Sequence, residues 1–151
     1  MRRAVALAVA AVGLLALTGA SASGAAVHRQ VRYVRMRATD GWYVDNNASG
    51  PSGGDLFGST GDLTHNSHTV GTFSGACTAS SAEQAQCDLT FLWNSGDRLQ
   101  LAGEIRVQEV TNHVSIVGGT GRYKRDRGDA TLTRLDNQGS VQRVRLRILS
   151  R

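Results

Sequence analysis

"VGGTGRYKRDRGDATL" (Val117–Leu132) packs three glycines into four residues and then lays down basic side chains, the look of a phosphate-binding loop. The pattern fails on inspection. A phosphate loop needs four spacer residues and then Gly-Lys-Ser/Thr, and a dinucleotide fingerprint needs a further glycine opening a helix. Downstream, "GDATLTRL" reads as strand, so no helix N-terminus receives a phosphate. Gly118, Gly119 and Gly121 are therefore expected to turn the backbone sharply, or to let it approach a neighbour closely, between two strands.

Outward from that turn, alternation dominates. In "CDLTFLW" residues Cys87, Leu89, Phe91 and Trp93 share one face, and "RLQLAGEIRV" sets Leu99, Leu101, Ile105 and Val107 against Arg98, Gln100, Glu104 and Arg106. "VQRVRLRIL" opposes Val144, Leu146 and Ile148 to Arg143, Arg145 and Arg147. A period of two gives each strand one dry and one wet side. Further strands are expected near Gln30–Thr39, His68–Thr78, His113–Val117 and Asp129–Leu135, with tight turns at "NSGD" (Asn94–Asp97) and "DNQG" (Asp136–Gly139). Asp40–Ser67 reads as a long loop with at most one strand, of the length usually tied to function. Seven or eight strands on short turns predict an all-β antiparallel barrel or sandwich, and a barrel leaves no open edge.

The N-terminus reads as an export signal: "MRR", then the apolar run Ala4–Leu17, then small residues around Ala20 and Ala22. The run is too short to span a bilayer, and no cysteine follows for lipid attachment, so no stable membrane anchor is expected. The chain divides into a signal over residues 1–26 and one domain over 27–151, secreted. Cleavage removes Arg2 and Arg3, taking two of the five net positive charges and leaving +3. Sixteen of the seventeen basic residues are arginine, spread along the chain without interleaved aromatics, which argues against nucleic acid as a partner.

Cys77 and Cys87 bracket "TASSAEQAQ"; on neighbouring antiparallel strands of an exported protein they are expected to form a disulfide. "DNNASG" (Asp45–Gly50) imitates the start of a calcium loop but has Leu56 where the bidentate glutamate belongs. His65 and His68, three apart, should face opposite ways on a strand, and no metal site is expected.

"VSIVGGTGRYKRDRGDATL", with "GDL" (Gly54–Leu56), "VGTFSGACT" (Val70–Thr78), "CDLTFLW" and "LAGEI" (Leu101–Ile105) in that order, resembles the allene oxide cyclase and dirigent superfamily over Gly54–Leu135. The resemblance implies an eight-stranded antiparallel barrel that works without metal or organic cofactor on a hydrophobic small molecule. Such a barrel steers ring closure or coupling geometry through proximity and orientation. Homo-oligomers are common in that superfamily. On this basis Tyr123, Arg127 and Glu104 are candidate catalytic residues, and Phe91, Trp93 and Arg125 candidate substrate contacts. Glu104 qualifies only if the polar strand face turns inward; otherwise it is an ordinary exterior residue. The resemblance also brings an alternative for Cys77, a free cavity-facing thiol as in plant allene oxide cyclases. The first strand, "VRYVRMRAT", carries arginines where those cyclases have glutamate and asparagine and dirigent proteins have aspartate, so the named activities do not carry over. The leading expectation is a cyclase- or isomerase-like barrel, with a non-catalytic carrier as alternative. A fully packed interior would instead mark a structural domain.

Overall fold

The computed structural model describes residues 27–46 and 50–150; the expected signal segment and the centre of "DNNASG" lie outside them. Eight strands follow one another: β1 (His28–Val44), β2 (Leu56–His65), β3 (His68–Ala79), β4 (Gln84–Trp93), β5 (Arg98–Arg106), β6 (Thr111–Gly119), β7 (Arg127–Arg134) and β8 (Val141–Ser150). Each pairs antiparallel with the next, and β8 returns to β1, closing the barrel. The chain therefore solves its edge problem by closure, as the run of short alternating segments implies.

The apolar strand faces point inward. Phe91, Leu99, Leu101, Val144, Leu146 and Ile148 are buried, whereas Arg98, Gln100, Arg143 and Arg145 on the alternate positions are exposed. The segment read as mostly loop contributes more order than expected. Its first residues prolong β1 to Val44, and Leu56–His65 forms β2, with Leu63 fully buried. His65 and His68 do not face opposite ways on one strand. They are directly opposed across the β2–β3 hairpin, because Asn66 and Ser67 both adopt positive φ and turn the chain in two residues.

The two barrel ends differ. At one end the connection after β6 folds back as a short 3₁₀ turn, Gly121–Tyr123, and plugs the barrel with Tyr123, which is 1 % exposed. Its ring lies 6.1 Å from that of Trp93, and Trp93 meets Phe91 edge-on at 6.4 Å. The glycines serve this turn. Gly121 has φ +58°, and a side chain on Gly119 would collide with the Arg98 carbonyl and the Tyr123 side chain. Asp97 in the β4–β5 turn clamps it from outside, accepting from the Arg122 backbone N–H at 3.2 Å and from its Nε at 2.8 Å. Those bonds, together with one from Ser95, which acts most strongly, hold the Asp97 carboxyl below its ordinary pKa.

Candidate functional site: an open barrel mouth

The other end is open. A cavity of about 900 Å³ enters the barrel there, within the range of small-molecule sites. It exists because the inward positions are small or absent at this height: Ala38, Ser59 and Gly75 stand where Phe91 and Trp93 fill the opposite end. Met36, Phe57, Leu89, Ile105 and Leu132 supply an apolar wall. Ser59 and Gln142 add polar groups, and neither is fully used by the protein. The Ser59 hydroxyl has no hydrogen-bond partner among the described residues, and the Gln142 side chain makes only a 3.4 Å bond to the Gly139 carbonyl. Asn112 is spent structurally, bonding the Arg106 backbone through both amide atoms at 2.7 and 3.2 Å.

Strand lengths shape the entrance. β1 pairs with β8 only as far as Arg37↔Val141, bulges at Thr39, and continues as Asp40–Val44 against β2 alone. The freed edge of β1 and the β7–β8 turn at Gln138–Ser140 thus border the opening. Exposed apolar side chains ring it, among them Trp42, Tyr43, Val107 and Val110. The carboxylates in the lining are committed at the rim: Asp40 accepts from the Gly41 N–H at 2.8 Å, and Glu109 pairs with Arg106 at 3.1 Å.

The loop after β1 is held by one buried carboxylate. Asp55, 1 % exposed, accepts from the Tyr43 hydroxyl at 2.6 Å and from the Asn46 and Ser52 backbone N–H groups at 3.1 and 2.7 Å. The Tyr43 bond, then the backbone bonds, lower the Asp55 pKa, while the same contact pushes Tyr43 up to about 12. The signs run opposite ways. The depressed carboxylate stabilises the fold above the free-aspartate pKa, near 4, and that contribution fades as pH falls through the depressed value. The raised phenol stabilises it below the free-tyrosine pKa, near 10, and that contribution is lost as pH rises to about 12. Tyr43→Phe should therefore remove amplitude near pH 12 from the phenolate absorbance titration, and Asp55→Asn should flatten the acid limb of a melting-temperature profile.

The disulfide forms, Cys77 to Cys87, across a directly opposed rung of β3 and β4 with Cα atoms 4.1 Å apart. Both side chains face inward and line the cavity, so Cys77 is cavity-facing yet not a free thiol. Such bonds persist in oxidising compartments.

The candidate residues named from sequence do not gather at this mouth. Tyr123, Phe91 and Trp93 are buried together in the plug at the far end, where Arg32 Nη1 donates to the Tyr123 hydroxyl at 2.9 Å. Arg125 and Arg127 are exposed at that same end, and Arg127 donates to the Asp126 carbonyl at 2.8 Å. Glu104 lies exposed on the outer wall, opposite Gln86, because the polar face of β5 points outward. Ala38, Ser59, Leu132 and Gln142 line the cavity without having been singled out by the sequence.

No curated protein matches this chain. Among solved structures it is similar to pyocyanin demethylase, with 18 % identity, a TM-score of 0.71, and coverage of 79 % of this chain and 99 % of that one. It is also similar to two pterocarpan synthase dirigent proteins. Both are 20 % identical, with TM-scores of 0.61 and 0.60, covering 82 % and 83 % of this chain and 86 % and 94 % of theirs. These likenesses share the barrel. The family model for dirigent-like proteins matches residues 59–149, more than half of the sequence, and the chain accordingly belongs to the dirigent-like protein family.

Proposed function

We propose that the open mouth takes up an apolar small molecule and fixes its conformation, so that ring closure or coupling follows the geometry the wall imposes. One observation carries this reading: the cavity is wide and apolar at depth, with Ser59 and Gln142 as the polar groups left available to orient a guest. Preformed apolar cavities with few polar anchors are the usual form of small-molecule sites, and holding a flexible substrate in one reactive geometry can lower a barrier without acid–base chemistry. The carboxylates in the lining, Asp40 and Glu109, are at the rim and engaged, which favours steering over proton transfer. The carrier reading shares the same guest and differs in whether the guest leaves changed.

Leu132→Trp tests the site itself. Leu132 borders the cavity while remaining only 6 % exposed, so the indole would extend into empty space rather than overpack the core. The variant should bind the neutral dye Nile red at least about tenfold more weakly, equivalent to roughly 1.4 kcal/mol, at an unchanged melting temperature. Unchanged affinity would place the dye elsewhere and remove the basis of the proposal. Steering separates from carriage in culture fluid from strains with and without the gene. A product replaced by an isomer of equal mass and different retention time, and restored by purified protein, supports steering; an unchanged profile leaves carriage.

A further inference from the structure

Arginines that look scattered along the sequence are gathered by the barrel. The ten-rung ladder from His28↔Ser150 to Arg37↔Val141 joins β1 to β8, and its outer positions carry Arg29, Arg35 and Arg37 on one strand and Arg143, Arg145 and Arg147 on the other. Two carboxylates flank this stripe. Asp129 on β7 pairs with Arg147 at 2.7 Å, and Asp62 on β2 stands opposite Arg37. The side chains of the stripe's other arginines make no ion pair or hydrogen bond among the described residues.

Arg35 and Arg143 are directly opposed. Side chains on such a rung have Cβ atoms about 5 Å apart, and like charges placed there work against the sheet. Two neighbouring positions compound the repulsion: Arg145 opposite Tyr33, and Arg37 one outward step along β1. A face built this way gains most from an anion laid between its strands. It also repels a second copy of itself.

We propose that the outer β1–β8 face is a binding site for a linear anionic glycan, whose sulfate, phosphate or carboxylate groups bridge the guanidinium rows. Ten rungs at about 3.4 Å make a stripe roughly 34 Å long and one ladder wide, with same-face residues about 7 Å apart along each strand. That shape suits an extended polymer. Arginine's planar fork donates two parallel N–H bonds to each anionic group. A single aromatic, Tyr33, interrupts the stripe, so it lacks the stacking platform that single-stranded nucleic acid uses. The site lies on the outer wall and is independent of the cavity reading.

The test measures anisotropy of a fluorescein-labelled heparin oligosaccharide against the intact protein, from about 50 to 300 mM salt, because counterion release makes such binding salt-dependent. Arg35→Gln/Arg143→Gln should weaken binding at least about tenfold and flatten the salt dependence. Its melting temperature should equal or exceed that of the parent, since a repulsive pair is gone. Arg98→Gln/Lys124→Gln removes the same charge from exposed positions elsewhere and should change affinity less than about threefold. Equal losses in the two variants, or no heparin binding by the parent at the lowest salt, would overturn the proposal. So would tighter binding to a charge-matched single-stranded oligonucleotide, or to vesicles of equal parts phosphatidylglycerol and phosphatidylcholine.

Discussion

Tyr123→Ala should cost about 3–5 kcal/mol of folding stability, the range for truncating a fully buried aromatic side chain. The ring closes one end of the barrel, touches Trp93 and lies under two guanidinium groups, with Arg32 and Arg122 carbons 5.9 and 5.3 Å from its centroid. Removing it opens a cavity beside Trp93 and lets water reach the barrel core. Urea unfolding should show a lower midpoint at a similar slope, and a drop well under 2 kcal/mol would mean that neighbouring side chains collapse into the space. Tyr123→Phe separates packing from hydrogen bonding. It keeps the ring and frees only the Arg32 donor, which is half-buried and can find water, so the loss should be about 1 kcal/mol.

The double substitution Cys77→Ser/Cys87→Ser ranks second, with an expected loss of about 2–3 kcal/mol. That follows from the chain entropy recovered when a bridge over a sequence separation of 10 is opened. For a domain of this size the melting temperature should fall by roughly 10 °C, by circular dichroism, and a reductant should move the parent protein toward the variant. A negligible shift would show that the β3–β4 hairpin holds the same register unaided. Because both sulfurs line the cavity, the variant should also change Nile red affinity, which a bridge on the outer wall would not.

The strand faces were legible wherever apolar side chains alternate without a break, as in β4, β5 and β8. β2 was hidden because "LFGSTGDLTH" fills inward positions with Ser59 and Gly61 between Phe57 and Leu63, which erases the period of two. The site was less legible than the fold for a geometric reason. Alternation tells in from out, but height along the barrel axis depends on register. Phe91 and Leu89 share one face of β4, yet Phe91 belongs to the plug and Leu89 to the cavity wall. Small residues at one height on several strands make the mouth, and only cross-strand pairing brings Ala38, Ser59 and Gly75 to that height. The arginine stripe was hidden likewise, since β1 and β8 lie at opposite ends of the sequence.

That closing ladder also governs how the chain reaches its native state. Seven of the eight pairings join consecutive strands and can form as hairpins in turn, but β1 meets β8 across more than a hundred residues. Val34 cannot find Val144 until the last strand has been synthesised, so an incomplete chain exposes a half-built core with two raw edges. Folding should be slow for its size, with closure of this seam in the rate-limiting step, and substitutions at Val34 or Leu146 should slow refolding more than those in the β2–β3 hairpin.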